Sequence, residues 1–127
     1  MATNTIPEGY QTVMPYLILD NAIDFFSFTQ NVFGAKEKAR HLNEDGSLMH
    51  GEVTIGGSTI MFGNASEKWP VQNSALYIIV GNADDTFKKA LDYGATEVME
   101  LSNQSYGRSG GVKDPFGNVW WVTSALN

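Results

Sequence analysis

Alternation of hydrophobic and polar positions divides the chain into short strands and two helices. Residues 12–19 are β-branched and apolar and predict a strand, with Pro15 marking an edge or a bulge. Asp20 and Asn21 are suited to start a helix. Over 22–33, Ile23, Phe26, Gln30 and Phe33, flanked by Phe25 and Val32, fall on one helical stripe that Gly34 closes. Residues 36–42, 49–55 and 58–62 read as three strands, separated by Asn43-Glu44-Asp45-Gly46 and by Gly56-Gly57. Residues 64–74 are polar, carry Trp69-Pro70 and make a linker. The order then restarts with a strand over 75–80 and a helix from Asn82 or Asp84 to about Tyr93, closed by Gly94. A strand over 97–101 and a hairpin over 106–122 complete the set. The hairpin turns at Asp114-Pro115-Phe116-Gly117-Asn118, where Pro presets φ and Gly tolerates a positive one.

The two halves match at an offset of about sixty residues, and such a period is itself a fold signal. Ile18 falls on Ile78, Asp24 on Asp84, Gly34 on Gly94, Ala35 on Ala95 and Glu37 on Glu97. Asn43 falls on Asn103, Gly51 on Gly111 and Gly57 on Gly117. The chain reads as two βαβββ modules in tandem within one α+β domain over 1–127: module one over about 10–63, the linker, and module two over 75–125.

Composition narrows the partners. The chain has 127 residues, 43% hydrophobic and 17% charged, as a folded single domain should. A net charge of −6 without a basic cluster argues against nucleic acid and anionic membrane. No cysteine is present, which removes thiolate metal sites, disulfides and cysteine nucleophiles. Neither a signal-peptide pattern nor a run long enough to span a bilayer is visible, so a soluble, cytoplasmic protein is expected. Asn64-Ala65-Ser66 and Asn103-Gln104-Ser105 have the glycosylation pattern, which carries no meaning without secretion.

Paired βαβββ modules resemble the vicinal oxygen chelate superfamily, which includes glyoxalases, extradiol dioxygenases, fosfomycin-resistance enzymes and bleomycin-binding proteins. Pro7-Glu8-Gly9-Tyr10, Pro15-Tyr16-Leu17, Phe33-Gly34-Ala35, His50-Gly51-Glu52 and Tyr106-Gly107-Arg108-Ser109 with Asp114-Pro115-Phe116-Gly117 look like its PhnB-like branch. The resemblance implies cupped mixed sheets enclosing a ligand, helices on the outer face, and a homodimer. In that arrangement the stripe of Phe25, Phe26, Phe28 and Phe33 serves as core or as interface. It also implies that a metal, where one is held, takes ligands near Met14, Met61, Ala75 and Trp121. None of these four is an imidazole, carboxylate or amide, so no metal and no cofactor is expected.

Strand alternation then assigns faces. Met49, Gly51, Val53 and Ile55 are expected toward the helices, and His50, Glu52 and Thr54 toward the cup. Tyr16 beside Met14, Thr59 beside Met61, Tyr77 beside Ala75, and Val119 beside Trp121 share that wall. Its aromatic and Met-rich composition suits a small-molecule pocket. His50 and Glu52 read either as a general base with an orienting acid or as a polar pair near the mouth of the cup. Arg108 is a candidate clamp for a ligand carboxylate or phosphate, or a salt-bridge partner. Trp69 is a lid or a loop anchor, and His41 a surface residue. The expectation is a metal-independent binding protein that holds an apolar or planar ligand through Met14, Tyr16, Met61, Ala75, Tyr77, Arg108 and Trp121. The alternatives are an enzyme using His50 and Glu52 as an acid–base pair, and a dimeric domain whose cup is filled by its own side chains.

Overall fold

The computed structural model describes residues 5–126. In chain order the elements are β1 (Tyr16–Leu19), α1 (Asp24–Phe33), β2 (Lys36–Leu42), β3 (Leu48–Ile55), β4 (Ser58–Asn64), β5 (Ala75–Ile79), α2 (Ala83–Asp92), β6 (Thr96–Gln104), β7 (Gly107–Lys113) and β8 (Val119–Ser124). They form two four-stranded sheets of matching order, β1-β4-β3-β2 and β5-β8-β7-β6. In each sheet the first strand pairs parallel with the last, and the other pairings are antiparallel. The tandem βαβββ repeat is therefore the architecture, with each module keeping its own sheet.

Each sheet turns one face toward the helices and leaves the other open. Leu17, Leu19, Val53, Ile60 and Phe62 are buried on the helix side of the first sheet. Phe25 and Phe26 of α1 meet Phe62 edge-on, both at 4.8 Å between ring centroids. Phe25 also reaches Phe116 (5.5 Å) and Trp120 (6.5 Å), Phe28 reaches Phe116 (6.1 Å), and Phe33 lies 4.4 Å from Trp120. The apolar arc of α1 is too wide for one sheet to cover and is buried against both modules. Of the two readings of the Phe stripe, core or interface, the structure shows core within the chain.

Two element starts differ from the pattern, each for a local reason. Strand β1 begins at Tyr16 because the residues before it leave the edge and cross the first sheet, where the Gln11 side chain bonds both the Thr59 carbonyl (2.9 Å) and the Thr59 amide (3.2 Å). Helix α1 begins at Asp24, since Asn21 sits at φ 53° and the next amide, that of Ala22, donates to Asn64 Oδ1 at 3.0 Å. By contrast α2 starts where expected, with Asn82 Oδ1 accepting the Asp85 amide at 3.1 Å.

Strand β3 holds a third difference. Leu42 pairs with Leu48 but His41 pairs with His50, so Met49 is the extra residue of a β-bulge. The bulge reverses the alternation at its end. Leu48 is 1% exposed in the core, while Met49, expected to face the helices, is 56% exposed. Gly63 makes room for this kink, since a Cβ there would lie 2.8 Å from the Met49 carbonyl oxygen.

The hairpin between β7 and β8 is closed by a buried carboxylate. Asp114 Oδ1 accepts the amides of Phe116 and Asn118, both at 2.9 Å. Asp114 Oδ2 accepts Asn118 Nδ2 (3.0 Å) and the Trp120 indole N–H (2.8 Å). Gly117 occupies the turn at φ +91°, where a side chain would be strained and would meet Asn73. Replacing Asp114 with Ala leaves these donors unpaired, and urea denaturation should show a loss of about 3 kcal/mol, with a smaller loss for Asp114→Asn.

Candidate functional site

On the open face of the first sheet, four side chains join in one hydrogen-bonded line. The Tyr16 hydroxyl lies 3.1 Å from His50 Nδ1, and His50 Nε2 lies 2.7 Å from Glu52 Oε2. Tyr10 Oη donates to Glu52 Oε1 at 2.6 Å. The line is possible because β1 and β3 flank β4, with Tyr16 and Glu52 both in register with Met61. His50 lies two residues from Glu52 and so on the same face. Tyr10 comes from the segment that crosses the sheet, where Gly9 O accepts from Thr59 Oγ1 and from Lys38 Nζ, both at 2.6 Å. The Lys38 ammonium sits 3.5 Å from the centre of the Tyr10 ring.

Glu52 is 6% exposed, and burial pushes its carboxyl up. The hydrogen bonds from Tyr10 and His50, with the charges of His50 and Lys38, outweigh burial and hold it below its ordinary value. The same bond to Glu52, aided by burial and the negative charge, raises the Tyr10 phenol. Glu52 is thus a carboxylate, and His50 must direct its Nε2–H toward it.

Beside this line lies a cleft of about 870 Å³. Tyr16 and Ile18 form one wall, Leu48 and Met49 another, and Gly63 lies in the lining between them. The turn 43–47, Asn64 at the end of β4, and linker residues Ala65, Ser66 and Trp69 make the rim. Asp45, bonded to the Ser47 hydroxyl (2.6 Å) and amide (2.9 Å), is held below the usual carboxylate range by those bonds. Among the described residues that line it there is no lysine, arginine or histidine.

Tyr16 is the ligand-binding candidate that lines this cleft. Met61 is half-buried between Tyr16 and Glu52 in the sheet, and Met14 is half-buried just before β1. Ala75, Tyr77 and Trp121 lie on the open face of the second sheet, with Tyr77 in register with Trp121 and the indole of Trp121 lying over Gly111. They do not line the cleft. Arg108 faces α2, where Nε and Nη2 bond the Asp84 carboxylate at 2.9–3.1 Å and Nη1 bonds Asn103. Those bonds raise the guanidinium and lower Asp84. Its role in the structure is the salt bridge, the second of the two readings. Thr59, expected on the cup wall, is fully buried beneath the crossing segment.

Tyr10 and the turn 43–47 were not among the candidates. Tyr10 lies outside any periodic element, so alternation gives it no face. The turn 43–47 is legible as a turn, but its closeness to Trp69 is a tertiary fact.

The metal implied by the superfamily resemblance does not fit these residues. Met14, Met61, Ala75 and Trp121 offer two thioethers, a methyl and an indole. Among the described residues no three His, Asp or Glu side chains converge on a point. A hard divalent ion needs about three such ligands.

Two βαβββ modules with an open aromatic face define a class of fold, and the comparisons place the chain within it. It belongs to the Glyoxalase/Bleomycin resistance protein/Dioxygenase superfamily, whose sequence model matches residues 17–122. An uncharacterized protein of Mycobacterium bovis is 32% identical over 132 residues, covering 94% of this chain and 84% of its own length. Protein PA1353 from Pseudomonas aeruginosa superposes with a TM-score of 0.77 at 19% identity, covering 92% of this chain and 99% of that one. A PhnB protein from Bacillus cereus gives a TM-score of 0.72 at 16% identity, covering 91% and 100%. These structural likenesses show the fold. They agree with the resemblance read from the motifs, in which the PhnB-like branch was singled out.

The depressed Glu52 carboxyl has a consequence for acid stability. A group lowered in the folded state adds stability above its unfolded value, near 4.5, that is lost as pH falls through the folded value. Glu52→Gln should therefore flatten the loss of thermal stability below about pH 4.5, as read by melting temperature across pH.

Proposed function

We propose that the chain is a metal-independent small-molecule binding protein that holds an apolar or planar ligand in the cleft between Tyr16 and Trp69. The observation that carries this reading is the lining itself. Two aromatic rings, Ile18 and Met49 supply apolar area, and the Asn and Ser groups of the rim supply orienting contacts. Superfamily membership supports it, because the superfamily includes bleomycin-resistance proteins. A second reading is an enzyme of the same superfamily with His50 as base and Glu52 orienting it. The 2.7 Å bond between them favours it.

The reading also takes two copies of the chain. On the open face of the second sheet Tyr77 is 58% exposed and Ile79 78% exposed, an apolar surface that a partner's first sheet would cover. Ala75, Tyr77 and Trp121 of a second copy would then close the cleft from the far side.

Calorimetric titration with a panel of planar heteroaromatic compounds tests the binding reading. Trp69→Ala should weaken a binder about tenfold, as expected for loss of one stacking partner of about 1.4 kcal/mol. Binders indifferent to both Trp69→Ala and Tyr16→Ala would sink it. For the dimer, light scattering on a sizing column should give twice the chain mass, and Ile79→Arg should give the monomer without loss of fold. A wild-type monomer at tens of micromolar would end that part of the proposal.

A further inference from the structure

The line Tyr16–His50–Glu52–Tyr10 has a direction. Glu52 is acceptor-only, takes the Tyr10 hydroxyl on one oxygen and faces His50 Nε2 with the other. His50 in its neutral form therefore carries its hydrogen on Nε2, leaving Nδ1 as the acceptor. Among the described residues its partner there is the Tyr16 hydroxyl, which then donates its hydrogen inward. What Tyr16 offers to the cleft is then an oxygen lone pair. A phenol placed only for stacking needs no such backing, and a surface histidine needs no buried carboxylate held in place by a second tyrosine.

We propose that Tyr16, His50 and Glu52 form a proton relay that takes the proton of an acidic hydroxyl on the bound ligand, a phenol or an enol, so that the ligand is held as its oxyanion. This rests on the binding reading of the cleft and adds the chemical class of the ligand. The transfer balances within the site. The ligand O–H breaks and its proton goes to Tyr16 Oη, the Tyr16 hydroxyl proton goes to His50 Nδ1, and the imidazolium stays paired with the Glu52 carboxylate. The electron pair of the broken bond remains on the ligand oxygen, which then accepts a hydrogen bond from Tyr16. No charge is gained by the complex, and no other reactant is needed.

On the open face of the sheet, His50 is surrounded by the members of the relay and by a second imidazole. Tyr16 faces it from β1 and Glu52 from β3, and His41 on β2 stacks at 6.3 Å between ring centroids. Lys38 of β2 and the raised Tyr10 phenol act on Glu52 from its other side. Asp45 is the acidic member of the cleft lining. An oxyanion in a cleft without a cationic side chain is held only if its proton stays close by, on the relay.

The probe is 4-nitrophenol, whose oxyanion absorbs at longer wavelength than the phenol, with 4-nitroanisole as the same ring without an acidic proton. On the wild-type protein, bound 4-nitrophenol should titrate about one unit lower than free 4-nitrophenol, a tenfold preference for the oxyanion. In Tyr16→Phe and in His50→Gln the bound fraction should titrate like the free compound. Nitrogen-15 spectra give an independent readout. With only two histidines in the chain, His41→Asn leaves His50 alone. Its resonances should show the Nε2–H tautomer in the free protein and both nitrogens protonated on saturation with 4-nitrophenol. The relay is overturned if the bound compound titrates like the free one, if the shift survives Tyr16→Phe, or if the free protein shows the Nδ1–H tautomer. Should 4-nitroanisole bind while no shift is seen, the relay falls and the cleft reading stands. If neither compound binds, both fall.

Discussion

The buried Asp114 carboxylate accepts four N–H bonds, and the joint between the modules is built outward from it. Two of those bonds shape the hairpin turn and a third orients Asn118, whose Oδ1 in turn accepts the Ser74 amide at 3.0 Å. The end of the linker is thereby tied to the turn. The fourth bond fixes the Trp120 indole, which is 2% exposed and packs against Phe25 and Phe33 of α1. A buried charge is tolerated here because every direction of approach is filled by a donor. Without it, the aromatic contact between modules would lose its fixed partner.

The two modules have the same topology but use their open faces differently. In the first, residues 7–11 cross the sheet, bury Thr59 and bring Tyr10 to Glu52. The bulge at Met49, made possible by Gly63, opens the cleft at the other end of the same face. In the second, Tyr77 and Ile79 stay exposed, and Trp121 lies over a glycine. The repeat thus carries polar hydrogen-bonded chemistry on one face and bare apolar surface on the other.

Much of this was legible before the structure. Periodicity located both helices and the strands, and the match of Gly34 with Gly94 and Gly51 with Gly111 exposed the repeat. The parity of His50 and Glu52 placed them together on one face, and the 2.7 Å bond bears out the pairing. Parity failed at Met49, because one extra residue in a strand moves a side chain to the opposite face and nothing in the local pattern marks the bulge. For Arg108 the sequence left a ligand clamp and a salt bridge open, because its partner Asp84 is 24 residues earlier on another element.

What the sequence by itself determined is the local and the periodic: turns that need Pro and Gly, apolar spacing that buries one face, and a repeat that sets the order of strands. Those follow from backbone sterics and from the cost of leaving apolar surface in water, which act over a few residues at a time. Only the tertiary structure decided that α1 is shared by both modules, that Trp69 meets the turn 43–47 across a cleft, and that Tyr10 and Tyr16 bracket the His50–Glu52 pair. Each of those contacts joins residues far apart in the chain, and which distant groups meet depends on how whole faces pack, a choice that no short stretch of sequence encodes.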